Sequence, residues 1–279
     1  MILAQLKIEL FKLFARKRTY MGFAAFFGVE LLILFLLRLR PVRQSFERII
    51  QQNGYVAEYY MSGLTLGLLI LLWTVFLLGA LYLSLVGGDL IAKEVEDGTM
   101  RMALCRPVSR FRIICLKVLA AAIYTFVLTL FISTTALVTG WIQAGSGGLF
   151  VFTPLEKLFA LYEWNEGLLR YIAAIPLLAC SLMTITSLAL FFSCFKMKPA
   201  AATILTLSFF FVDTILRNIP YFEGVRSWFI TTRMSTWSNI FRYQIPWETM
   251  AEDYIWLLAI NISLILLGYM IFQTRDLKS

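Results

Sequence analysis

The chain has 279 residues, 60% of them hydrophobic and 15% charged, with a net charge of +8 and a mean hydropathy of +0.78. A soluble domain is about half apolar and a quarter charged, so the composition excludes one and places the chain in a bilayer. Crossing about 30 Å of hydrocarbon takes about 20 mostly apolar residues, and these must be helical, because lipid offers backbone polar groups no partner.

The first eighteen residues put Leu3, Leu6, Leu10, Leu13 and Phe14 on one helical face and Gln5, Glu9, Lys12 and Arg16 on the opposite one. This predicts an amphipathic helix over 1–18 lying in the membrane interface. Six apolar runs follow, near 20–37, 63–86, 113–139, 171–195, 200–216 and 254–272. The first shows no small-residue cleavage site before Arg38, so it is expected to stay in the protein as a span. Pro41 comes just after it, where a helix can stop. Gly63-x-x-x-Gly67, at the head of the second run, permits close approach of another helix and is weak evidence for a dimer.

In the third connection, Thr153-Pro154-Leu155-Glu156 fits an N-cap, a first-turn proline and a capping-box glutamate. A short amphipathic helix is predicted there, with Leu155, Leu158, Phe159 and Tyr162 on its apolar side and Lys157, Glu163 and Glu166 in water. Pro176 falls in the first turns of the fourth span, where it can kink the helix. Spans four and five are joined only by Lys196-Met197-Lys198-Pro199 and must form an antiparallel hairpin, with Pro199 in the first turn of the fifth. The last connection, about 217–253, carries Trp228, Arg233, Trp237, Arg242 and Trp247, the composition of an interfacial belt. Surface helices or a re-entrant segment, broken near Pro220 and Pro246, are expected there.

Six spans leave both termini on one side, and Lys and Arg choose that side. Lys7, Lys12, Arg16, Lys17 and Arg18 at the amino terminus, Lys93, Arg101, Arg106, Arg110 and Arg112 between spans two and three, and Lys196, Lys198, Arg275 and Lys278 all fall there. They predict cytoplasmic termini in a multi-pass membrane protein. The positive charge then faces anionic lipid headgroups, and no nucleic acid is needed to explain it. Cys105, Cys115, Cys180 and Cys194 fall in spans or at the cytoplasmic end, so unpaired thiols are expected. No linker or internal repeat divides the chain, which reads as one transmembrane domain over 1–279.

Between spans two and three stands Gly88-Asp89-Leu90-Ile91-Ala92-Lys93-Glu94-Val95-Glu96-Asp97-Gly98-Thr99-Met100-Arg101. A helix over 88–97 would pair Asp89 with Lys93 and Lys93 with Asp97 at i,i+4. Gly98 would end it, Pro107 would break the chain again, and Ser109 would cap the helix that becomes span three. This punctuation predicts a stiff elbow that presents acidic groups at the membrane surface.

That order of residues, followed by Pro107-Val108-Ser109-Arg110 and Lys117, resembles the first cytoplasmic loop of the ABC type-2 permeases, the membrane subunits of ATP-driven exporters. Met100 stands where leucine is usual, and Ala103-Leu104-Cys105 where two leucines and a serine are. The closing Phe272-Gln273-Thr274-Arg275-Asp276-Leu277 is similar to the Arg-Asp ending of the same family. Hydropathy and resemblance together give an all-α polytopic membrane fold. It has six transmembrane helices, the amphipathic N-terminal interfacial helix, a cytoplasmic coupling helix within the loop 87–112, and short extracytoplasmic helices. The resemblance implies that this loop seats in a groove of a separate cytoplasmic ABC ATPase. Asp89, Glu94, Glu96, Gly98, Thr99 and Arg101 stand at the matching positions, with Lys93 and Asp97 pairing among them. It also implies a second permease copy or a paralogue in the complex.

The chain holds no Gly-Lys dipeptide, so it has no phosphate loop of its own, and ATP would be bound by another polypeptide. It has no histidine, the commonest metal ligand and neutral-pH proton carrier, and no metal or cofactor site is expected. Glu30, near the middle of span one, is a candidate for a pathway or gating role, against a protonated or hydrogen-bonded structural residue. Asp213 is expected to pair with Arg217. The hydroxyl stripes Thr125, Thr129, Ser133 and Ser181, Thr184, Ser187 suit helix contacts more than a substrate path. Two other readings stay open: a membrane transmitter that couples an ATPase to an envelope process without moving solute, and an ion-driven carrier using Glu30.

Overall fold

The computed structural model describes residues 2–52, 55–100, 109–153 and 158–274. Six of its helices are long and apolar enough to cross a membrane: Lys17–Arg38, Gly63–Glu96, Arg110–Ala144, Trp164–Ser193, Pro199–Asn218 and Trp247–Thr274, here spans one to six. The all-α polytopic class is the class observed. Span two runs past its apolar stretch to Glu96, so residues 88–96 are its last turns and not a separate helix. No proline interrupts it, and Gly87 and Gly88 are tolerated because they pack against spans four and five.

Span four is the most enclosed, with 67% of its apolar window buried, against 28%, 22% and 17% for spans one, five and six. The central layer is therefore spans two, three and four, and the outer three keep much apolar surface for lipid or protein. Span two changes partner midway. Gly63–Thr74 packs on span three, whereas Ala80–Glu96 packs on spans four and five, and the switch falls at a π-helical turn, Val75–Gly79. One residue added to the turn rotates the following face by about 100°.

The upper contact is a glycine seam. A Cβ on Gly140 of span three would lie 2.6 Å from the Gly63 carbonyl oxygen and 2.7 Å from the Gly67 nitrogen, so the backbones touch. Gly63-x-x-x-Gly67 is thus spent within the chain, which corrects its reading as a sign of a dimer.

The end of the bundle opposite the termini is capped. Span one stops at Arg38, just before Pro41, as expected, and after extended Leu39 the proline enters the first turn of a strongly amphipathic helix, Arg40–Gln52, that buries Ile50. The helix predicted from Thr153 is not observed. Leu149–Thr153 (β1) and Leu158–Tyr162 (β2) form an antiparallel hairpin, with Leu149 opposite Tyr162 and Thr153 opposite Leu158. Residues 154–157 lie outside the described ones. Two five-residue aromatic and aliphatic runs close in sequence satisfy strand pairing. The hairpin is seated on span two, Ser62 Oγ donating to Gly148 O at 2.7 Å and Phe150 N donating to Thr65 Oγ1 at 2.8 Å.

The last connection is helical as expected, in short pieces: Pro220–Trp228, Ile230–Met234 and Ser235–Phe241. Arg170 clamps it by donating to Ile240 O and Arg242 O at 2.6 and 2.7 Å, while its guanidinium lies 4.2 Å from the Tyr162 ring centroid. Asp213 and Arg217 converge on Thr231: the carboxylate accepts from its nitrogen at 2.8 Å, and the guanidinium donates to its carbonyl at 2.8 Å. Span four runs unbroken through Pro176. The hydroxyl stripes bond between helices, Thr125 to Thr186 at 3.0 Å and Asn261 to Thr184 at 3.3 Å. Cys115 and Cys180 are free thiols, and the buried Cys194 donates from Sγ to Leu190 O at 3.4 Å.

Candidate functional site

The N-terminal helix, Ile2–Phe14, and the end of span six lie at the same end of the bundle, where span two ends and span three begins. Leu6 and Leu13 of the N-terminal helix are buried, while Leu3 and Phe11 are more than 70% exposed. Its polar face is turned partly onto the bundle, with the Glu9 side chain 18% exposed and that of Lys12 42%. Glu9 and Lys12 pair at 2.8 Å, Lys12 reaches Glu94 at 3.4 Å, Glu94 pairs with Lys117 at 2.8 Å, and Lys117 returns to Glu9 at 3.2 Å. The four charges form a closed ring of alternating sign that joins the N-terminal helix, the end of span two and the start of span three.

Lys117 is 1% exposed. A cation so enclosed is tolerable only because two carboxylates face it. Beside the ring, Arg18 of span one reaches Asp89 at 3.0 Å. Asp89 therefore turns inward to span one, and Lys93 pairs with Glu96 and Asp97 at 3.2 Å each. The expected presentation of acidic groups is corrected in part: Asp89 and Glu94 are buried, and Glu96 and Asp97 form the exposed rim.

Asp97 caps the helix, and Gly98 follows with φ +72°, the left-handed conformation that glycine adopts without steric cost. Thr99 Oγ1 donates back to Glu94 O at 3.2 Å. Arg101 lies outside the described residues. Ser109 Oγ accepts from Arg112 N at 3.3 Å, the predicted cap of span three. Arg110 donates to Phe272 O and Gln273 O at 3.1 and 2.6 Å, which fixes the end of span six to the start of span three. A groove of about 450 Å³ opens beside the rim, lined by Arg18, Asp89, Lys93, Glu96, Lys198 and Thr203 among others.

The family model of the ABC-2 family transporter proteins matches residues 14–277. The chain belongs to that family. No curated protein matches it. It is a transmembrane permease subunit of an ABC transporter, and permeases of this family pair with an ABC ATPase.

Two groups in the permease ring carry a pH signature. Burial pushes the Glu9 carboxyl up, but the charge of Lys117 and the bond from Lys12 outweigh it and hold it below its ordinary 4.5. Burial pushes Lys12 down, but the bond to Glu9 and the charge of Glu94 leave it above its ordinary 10.5. A depressed carboxylate stabilises above its unfolded pKa and loses that stabilisation as pH falls through its folded one. A raised ammonium stabilises below its unfolded pKa and loses that as pH rises through its folded one. Docking of the N-terminal helix is therefore expected to hold from pH 4.5 to pH 10.5 and to loosen only beyond either limit. Hydrogen exchange of its amides, corrected for intrinsic rate, checks this.

Higher in the permease, spans one, two and three meet at Tyr82 and Tyr124, whose hydroxyls lie 2.8 Å apart, and Gly22 leaves room for the Tyr82 ring. Above them Glu30 is 0% exposed. Its Oε1 lies 3.0 Å from Thr135 Oγ1, and its Oε2 has no hydrogen-bond partner. Thr135 owns a single hydroxyl hydrogen and already has Phe131 O at 2.8 Å. If that hydrogen goes to Phe131, Glu30 must be a neutral acid donating to Thr135, an arrangement that also avoids an uncompensated buried charge.

Sequence reasoning missed the ring. Glu9 and Lys12 read only as the polar face of an interfacial helix, and Lys117 only through its place in the motif. A signal was present: a lysine inside an apolar span demands partners. What the sequence lacked was any means of naming them across 108 intervening positions.

Proposed function

We propose that the loop 87–112 is the coupling element through which a separate cytoplasmic ABC ATPase drives this permease, in an exporter of the inner membrane. The termini would lie in the cytoplasm, on the side that carries most of the Lys and Arg. The observation that supports this best is the ring. An ATPase that changes shape with nucleotide can move a membrane domain only through a stiff contact that it grips in both states. Ionic contacts tie the last turns of span two to the N-terminal helix, to span one and to span three. Force applied at the exposed rim of Lys93, Glu96 and Asp97 therefore reaches three elements at once.

Spans one, five and six, the least buried, supply apolar surface for a second permease copy or a paralogue and for lipid. The experiment is affinity purification from native membranes, followed by vesicle transport. An ABC ATPase that co-purifies, with ATP-dependent solute accumulation inside inverted vesicles, is the expected result. Association and ATP hydrolysis without solute movement would identify a mechanical transmitter, and activity with no ATPase at all would identify an ion-driven carrier.

A further inference from the structure

Glu30 shares a helix face with a cavity at the hairpin end of the bundle. On span one, Glu30, Leu34, Leu37 and Arg38 follow one another at helical spacing, as do Thr135, Thr139 and Gln143 on span three. Leu34, Leu37, Arg38 and Gln143 line a cavity of about 550 Å³ whose walls also carry Arg43 and Glu58. The Glu30–Thr135 contact thus lies one turn, about 6 Å, below Leu34 in the cavity wall.

The surroundings of Glu30 hold no counter-ion among the described residues. Span three offers it the Thr135 hydroxyl. On span four the Tyr171 phenol donates to Ser133 O at 2.8 Å and brings no charge to Glu30. Span two carries no titratable residue from Gly63 to Leu81. The charged groups on the open side are Arg38, Arg43 and Glu58 of the cavity itself. A carboxyl with one unpartnered buried oxygen and no cation within the bundle is a group that holds a proton. Only a short aliphatic barrier separates it from a polar, water-accessible space.

We propose that Glu30 is a proton-binding site served by this cavity from the end of the bundle opposite the termini. In the closed arrangement its O–H donates to Thr135 Oγ1, and Thr135 donates to Phe131 O. When water passes Leu34, it accepts the proton, leaving a carboxylate and a hydronium ion that diffuses into the cavity, and reclosure requires the proton to return. The site is independent of any ATPase, so its failure leaves the coupling account untouched.

The test is infrared spectroscopy of the permease reconstituted in one orientation in vesicles. A protonated-carboxyl band absent from Glu30→Gln is expected, shifting when H2O is exchanged for D2O. That shift should be several-fold faster in Leu34→Ala, or in Leu34→Val if the alanine variant does not insert. Should Glu30→Gln fail to insert, Thr135→Val keeps the acid and must move the band by removing its acceptor. A band that never exchanges, or whose rate ignores position 34, would overturn the proposal. So would the absence of any Glu30 acid band.

Discussion

Replacing Glu94 with glutamine is expected to lower the unfolding free energy of the permease by about 3–5 kcal/mol, the cost of leaving a buried charge without its partner. Lys117 is almost wholly enclosed and keeps only Glu9 once Glu94 is neutral. The shape of the side chain is preserved, so the loss reports charge and not packing. Replacing both members, Glu94→Gln with Lys117→Met, is expected to cost less than the single change, because no orphan cation remains. An exposed pair such as Arg43–Glu47 is worth only about 0–1 kcal/mol and supplies the contrast. Denaturant titration in detergent measures all three. A double variant as unstable as the sum of the singles would show that the ring is not a coupled unit.

The second large effect is expected at Gly140. A leucine there would drive its Cβ into the Gly63 carbonyl and the Gly67 nitrogen, both backbone atoms that cannot rotate away. Spans two and three would have to separate along the seam that seats the β-hairpin, at a cost of about 3 kcal/mol. Gly28 of span one is the control, since a Cβ there meets nothing within 4 Å. Gly28→Leu is expected to change stability by less than about 0.5 kcal/mol. Thermal unfolding of the two variants side by side separates close packing from a general intolerance of glycine replacement.

What could be read from the sequence was what is encoded locally. The six spans follow from run length alone. The stop at Gly98 and the cap at Ser109 follow from residue types whose backbone and side chains act within three or four positions. The hairpin reads locally as a helix because Thr-Pro followed by Leu-Glu is a helix start signal. Only strand pairing between residues 149 and 162 decides otherwise. Helical spacing offers Asp89 to Lys93, but Arg18 crosses to it from span one. Glu9, Lys12, Glu94 and Lys117 were each visible as charges, and their meeting depends on how three helices pack, which no local spacing specifies. Gly63 and Gly67 announced a close approach without saying that Gly140 is its other side.

The mechanical account separates two sets of charges that sequence order mixes together. Glu94 and Asp89 hold the loop to the bundle, whereas Glu96 and Asp97 stand at its exposed rim, 45% and 49% exposed. Reversing an inner acid would confuse loss of folding with loss of docking. Reversing the rim leaves the ring intact. The most direct measurement is therefore ATPase association by Glu96→Lys/Asp97→Lys, taken together with its thermal stability. A melting temperature close to that of the unmodified permease and loss of the co-purifying ATPase are expected. A variant that folds, keeps its ATPase and still supports ATP-driven transport would contradict it.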